Sequence, residues 1–125
     1  MIKVLVVDDH DLVRTGISRM LSDVPGLSVI GEADSGETAV VRARELKPDV
    51  ILMDVRMPGI GGLEATRKIT RYNPEVQVIA VTACDDNPFA TRLLQAGASG
   101  YITKGADADE VGHAIMKVKS GQKYI

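Results

Sequence analysis

Two rhythms of apolar residues alternate along the chain. Short, mostly β-branched runs occupy residues 2–7, 27–33, 50–53, 76–82 and 101–104. Between and after them, apolar residues recur every three or four positions, the spacing of one buried helical face. An unbroken run such as Val50, Ile51, Leu52 and Met53 has no solvent side. It predicts a central strand of a parallel sheet covered by helices on both faces. The run at 27–33 is interrupted by Ser28 and Glu32, which places it nearer an edge.

The intervening stretches predict five helices. Asp11 can cap the first, with Val13, Gly16, Ile17, Met20 and Leu21 inward before Pro25 and Gly26 break it. Ser35 is the expected N-cap of the second, with Glu37 in its first turn; Ala39, Val40, Ala43 and Leu46 face inward and Pro48 follows. A turn through Met57, Pro58 and Gly59, then Gly61 and Gly62, leads to the third. It buries Leu63, Thr66 and Ile69 and exposes Glu64, Arg67, Lys68 and Arg71, where Glu64 is spaced to pair with Lys68. Residues 85–88 start a short fourth helix around Phe89 and Leu93 that Gly97 stops. Asp107 and Glu110 resemble a capping box for the fifth, which buries Val111, Ala114, Ile115 and Val118.

Five strand–helix units in 125 residues, without linker or repeat, predict one α/β domain over residues 1–125: a flavodoxin-like (CheY-like) doubly wound parallel sheet. The leading strand order is 2-1-3-4-5, which places the first and third strands side by side at the switch point. With three Tyr, one Phe and no Trp, the core must be aliphatic. A net charge of −2 with interspersed signs argues against non-specific binding to nucleic acid or an anionic membrane. The single cysteine, Cys84, excludes an internal disulfide and fits a reducing cytosol. No apolar run approaches the roughly 20 residues of a membrane helix, and no signal-peptide pattern opens the chain. A cytoplasmic, soluble domain is expected.

Candidate chemistry collects where strands end. Asp8 and Asp9 follow the first run, and Asp54 follows the third. If those strands are neighbours, three carboxylates converge, and a pair about 5 Å apart repels by roughly 3 kcal/mol at an effective dielectric near 20. Either a proton is retained or a cation sits among them. All-oxygen ligation with few protein groups suits Mg²⁺. Thr82 ends the fourth strand and can donate a hydroxyl; Lys104 ends the fifth and can supply an ammonium. Metal, nucleophile and counter-charge are the parts of phosphoryl transfer, with Asp54 the nucleophile. His10, beside the acid pair, is read as a loop histidine that could also ligate or donate a proton. His113 falls off the inward face of the last helix. Cys84 has no partner that would activate it.

Taken together, Asp8-Asp9, Asp54 in M-D-V-R-M-P-G, Thr82-Ala83, and Lys104 in A-G-A-S-G-Y-I-T-K make the whole chain resemble a two-component response-regulator receiver domain. The D-D-H-D-L-V-R-T-G opening and the residues from Ser120 to Tyr124 are similar to the NarL/FixJ type, most of all to GacA/UvrY-type regulators. The resemblance implies that Asp54 is phosphorylated by a sensor histidine kinase. It implies Mg²⁺ held by Asp9, Asp54 and the backbone carbonyl of Arg56, with Asp8 acting through water. Thr82, Ala83 and Lys104 would meet the phosphoryl group, and Tyr101 would turn inward when Thr82 moves. It further implies homodimerisation on phosphorylation, and DNA contact only through a helix-turn-helix output domain beyond Tyr124, absent from this chain. Gly105 stands where many receivers have proline, which argues against a cis peptide after Lys104. Arg56, two residues past the acid, leaves the lifetime of a modified state open. Three alternatives stand beside this reading: a receiver acting alone through protein contacts, a Mg²⁺-dependent phosphatase with an aspartyl-phosphate intermediate, and a flavin or nucleotide module. The second lacks the acid such enzymes place at the position of Arg56. The third lacks a Gly-rich phosphate loop.

Overall fold

The structure, a computed structural model, describes the backbone except at residues 58, 84–86 and 125, and side chains except at these positions and at 87–90. The expectations for Pro58, for Cys84, for residues 85–86 ahead of the fourth helix and for the Phe89 side chain lie outside the described residues. Strands β1 (Ile2–Val7), β2 (Leu27–Ala33), β3 (Val50–Asp54), β4 (Gln77–Thr82) and β5 (Gly100–Thr103) alternate with helices α1 (Asp11–Ser22), α2 (Gly36–Leu46), α3 (Gly61–Tyr72), α4 (Asn87–Ala96) and α5 (Ala108–Lys119). All pairings are parallel, in the order β2-β1-β3-β4-β5. The expected flavodoxin-like order is therefore the observed one.

The unbroken apolar runs are explained by the two cores they separate. Val4, Val6, Val50, Leu52, Ile79 and Val81 point to one side of the sheet, where they pack with Leu21 of α1 and Val111, Ile115 and Val118 of α5. Leu5, Val7, Ile51, Met53 and Val78 point to the other, against Ala39 and Ala43 of α2 and Ala65 and Ile69 of α3. Every residue of β3 is buried, as a strand covered on both faces requires. Among the described residues the buried core contains no aromatic side chain. β2 lies at the edge, half-buried through its middle, with a register shift opposite Val4 and Leu5.

The helix ends follow the sequence in two places and depart from it in two. Ser35 Oγ accepts from the Thr38 amide at 3.1 Å, and an Asp107 carboxylate oxygen accepts from the Glu110 amide at 2.9 Å. Asp11 is not a cap: His10 holds that position, and Asp11 opens α1 with its carboxylate 2.6 Å from Arg14. Glu64 pairs with Arg67 at 2.9 Å, one residue short of the expected Lys68; both spacings are neighbours on a helix. Replacing Ser35 with Ala should lower stability by about 1 kcal/mol, readable as a shift in the urea midpoint with an unchanged slope.

β5 begins one residue earlier than its apolar pattern, and Lys104 lies just past its end. The reason is the last stretch of chain, which returns beside it. Tyr124 bridges Gly100, its amide donating to the Ser99 carbonyl at 3.0 Å and its carbonyl accepting from the Tyr101 amide at 3.0 Å. All described peptide bonds are trans, including the one after Lys104.

Candidate functional site

Register places the acids. Val7 of β1 pairs with Met53 of β3, so Asp8 and Asp54 leave adjacent strands at the same level. Asp54 pairs with Val81, which sets Thr82 one residue beyond it, and Thr82 pairs with Thr103, just before Lys104. Four strand tips thus bring Asp8, Asp54, Thr82 and Lys104 to one end of the sheet. Asp8 and Asp54 are 1% and 2% exposed, a degree of burial that carboxylates reach only with partners.

Lys104 is one such partner. Its Nζ lies 3.3 Å from Asp54 Oδ1 and 3.5 Å from Asp8 Oδ2. Burial opposes its charge, but Asp54 and Asp8 outweigh burial and hold its pKa above the ordinary lysine value. On the other flank, the His10 amide donates to Asp8 Oδ1 at 2.8 Å, and His10 Nδ1 stands 3.1 Å from Asp9 Oδ1. These contacts do not satisfy the cluster. Asp8 Oδ2, Asp9 Oδ1 and Asp54 Oδ2 are buried without a hydrogen bond among the described residues. Burial, then the charge of Asp8, push Asp54 up from 3.8 to about 6, against the pull of Lys104.

Among the described residues Lys104 contacts Asp8 and Asp54 and His10 contacts Asp8 and Asp9, while Asp54 Oδ2 stays buried without a hydrogen bond, so the pocket can accept a further cation. Ligand atoms of Asp8, Asp9, His10 and Asp54 all lie within 4.8 Å of one another. The donor set is dominated by carboxylate oxygen and fits a small hard divalent ion such as Mg²⁺, the kind that keeps several waters. Arg56 is exposed two residues past Asp54, and Ala83 is exposed beside Thr82.

Thr82 is buried, and its hydroxyl donates to the Ile102 carbonyl at 3.4 Å, while the Lys104 amide donates to the Thr82 carbonyl at 2.8 Å. The tips of β4 and β5 are therefore joined twice. Tyr101 is not in the acid pocket. It is half-buried and packs with the cluster of Val55, Ala80, Leu93 and Ala98.

Periodicity missed one positioning residue. Arg14 sits on the half-buried side of α1, where its Nη1 donates to the Asp8 carbonyl at 2.7 Å. Its other nitrogens meet Asp11 at 2.6 Å and Glu32 at 2.9 Å. The hydrogen bond it donates to Asp11, then the one it donates to Glu32, outweigh burial and raise its pKa further. Arg14 ties α1 and β2 to the loop that carries the acids. The only sequence signal was its spacing of three from Asp11. Glu37 of α2 steadies the other loop, accepting from the Ile60 amide at 3.4 Å. Gly62, in the first turn of α3, lies so close to the Asp54 carbonyl that a Cβ there would overlap its oxygen.

Comparison with known proteins identifies the family. The response regulator receiver domain family matches residues 4–116. The chain is 68% identical over its whole length to the response regulator GacA of Pseudomonas syringae pv. syringae, covering 58% of that protein. It is 55% identical to the response regulator UvrY of Escherichia coli, again over its whole length and 57% of that protein. The chain thus spans somewhat over half the length of these relatives. Among solved structures, a LuxR-family two-component response regulator from Aurantimonas sp. SI85-9A1 superposes with a TM-score of 0.92 at 36% identity, over 98% of this chain and 88% of that one. The signal receiver domain of a NarL response regulator from Mycobacterium tuberculosis gives 0.91 at 34% identity, over 97% and 98%. With its strand order, its acidic pocket at the β1 and β3 tips and this match over nearly the full chain, the protein belongs to the response regulator receiver domain family.

Proposed function

We propose that Asp54 is the phosphoacceptor of this receiver. The observation that carries the reading is its environment: a carboxylate buried at a strand tip, one oxygen held by Lys104 and the other without a hydrogen bond. The phosphoryl donor is a phosphohistidine of a sensor histidine kinase. Asp54 attacks phosphorus, the P–O bond forms as the P–N bond breaks, and the leaving imidazole takes up a proton. Asp9, Asp54 and the backbone carbonyl of Arg56 would hold Mg²⁺, with Asp8 acting through water. When bound, the ion neutralises charge on the acids and on the incoming phosphoryl oxygens.

The chain's own groups do the rest. Lys104 already sits against Asp54 and needs only a small movement to meet a phosphoryl oxygen. Thr82 must give up the Ile102 carbonyl to donate to the phosphoryl group. That exchange loosens one of the two links that join the tips of β4 and β5, the strand that carries Tyr101, whose half-buried side chain then turns further inward. Differential contacts of this kind are what bias a two-state switch. The reading is of a regulatory domain rather than an enzyme. In the cytoplasm, its output would be transcription control through a helix-turn-helix DNA-binding domain following the receiver, with homodimerisation on phosphorylation. Among the described residues no helix is long and apolar enough to cross a membrane.

Intact mass tests the chemistry. Incubation with Mg²⁺ and acetyl phosphate should add one phosphoryl group to the native chain and none to Asp54→Asn or to the native chain in EDTA. The modified sample should sediment as a dimer. An adduct on Asp54→Asn would overturn the assignment.

A further inference from the structure

One side chain in the acidic pocket differs in kind from the others. His10 offers nitrogen where Asp8, Asp9 and Asp54 offer oxygen, and its ligand atom lies within the same 4.8 Å cluster. Its backbone is fixed at the N-cap of α1, with the amide bound to Asp8 Oδ1. The ring is anchored only loosely. Its Nδ1 stands 3.1 Å from Asp9 Oδ1 and 3.4 Å from Asp8 Oδ1, and its side chain is 66% exposed, so it can turn without disturbing a packed core. Lys104 approaches from the opposite flank, on Asp8 Oδ2 and Asp54 Oδ1, and does not occupy the His10 side. The buried, unpartnered Oδ2 of Asp54 is the independent sign that a cation belongs in this pocket.

Donor type decides which cation. Mg²⁺ is served by carboxylate, carbonyl and water oxygens and gains little from an imidazole. Borderline divalent ions such as Co²⁺, Ni²⁺ and Zn²⁺ take imidazole readily. We infer that His10 makes this receiver's pocket a mixed oxygen–nitrogen site, in which the imidazole adds affinity for borderline divalent ions that Mg²⁺ does not gain. The inference rests on the proposed metal-binding role of the acids and adds a ligand to it. Its consequence is that ion identity, and not only ion presence, sets how readily the pocket fills.

Co²⁺ is the probe, because it absorbs in the visible and shifts the proton resonances of an imidazole that ligates it. The chain contains two histidines, His10 and His113. His113 lies exposed on α5 against the Tyr124 ring, at 6.1 Å between centroids, so it serves as an internal reference. At fixed pH, His10→Gln should weaken Co²⁺ binding about tenfold or more and Mg²⁺ binding by less than about twofold. His113→Gln should change neither. The cobalt-loaded native protein should show one strongly shifted imidazole, lost in His10→Gln. Equal weakening for both ions, or unchanged Co²⁺ affinity with no shifted imidazole, would overturn the inference while leaving the acids as a Mg²⁺ site. Failure of the native protein to bind either ion would overturn both readings.

Discussion

Asp54→Asn should make the metal-free domain more stable, although it removes the residue at the centre of the site. Burial and Asp8 raise the Asp54 pKa to about 6, against 3.8 for the unexposed-to-field reference. The folded state therefore holds a proton that the unfolded state releases earlier. Stability from this group is fully present below about pH 3.8 and is lost as pH rises through about 6. The shift corresponds to an order of 2–3 kcal/mol at neutral pH. Asparagine carries no charge, so the variant escapes that loss. For a domain of this size the melting temperature should rise by roughly 10 °C above pH 7, and the gap should close towards pH 4. Mg²⁺ should narrow the gap from the other side, stabilising the native chain and not the variant. Calorimetry across pH, with EDTA and then with Mg²⁺, checks each statement. A destabilised variant at pH 7.5 in EDTA would show that the Lys104 contact outweighs the burial of the charge.

Gly62→Ala should have an effect as large and of opposite sign. The clash is with the Asp54 carbonyl, which is backbone within the fully buried β3 and has no room to retreat. Overpacking of this kind costs on the order of 3 kcal/mol, well beyond the roughly 1 kcal/mol that Ala gains over Gly in a helix. The displaced atom belongs to Asp54 itself, so the variant should also bind Mg²⁺ more weakly. Gly16 on α1 is the contrast, because a Cβ there meets nothing within 4 Å. Gly16→Ala should raise stability by about 0.5–1 kcal/mol. Denaturant unfolding of the two variants, side by side, separates contact from propensity. A Gly62→Ala protein as stable as the native one would mean that α3 can shift outward freely.

Much of this molecule was legible because its sheet is buried on both faces. Continuous runs such as 50–53 can belong only to interior strands, and parallel strands all end at one rim of the sheet, so Asp8, Asp54, Thr82 and Lys104 could be placed together from the sequence. Ser35 and Asp107 were legible because capping is local. What was not legible depends on side chains meeting across distant segments. Arg14 reaches Glu32 and the Asp8 carbonyl through a fold that periodicity does not encode. Asp11 looked like a cap until Arg14 drew it aside. The closeness of Gly62 to Asp54 reads in sequence only as one glycine among twelve. The dual hold of Thr82 and Lys104 across β4 and β5 needed the register itself.

The return of the chain beside β5 has a consequence for self-association. An open sheet has two edges, each a row of backbone donors and acceptors able to recruit a strand from another molecule. The β2 edge is broken by its register shift and carries exposed Glu32. The β5 edge is blocked instead by Tyr124, which occupies the Ser99 carbonyl and the Tyr101 amide. Gly100 makes that closure possible, since a side chain there would overlap the Tyr124 carbonyl oxygen. The segment around Tyr124 is thus a guard against edge-to-edge aggregation, built from one small residue and one bridging residue.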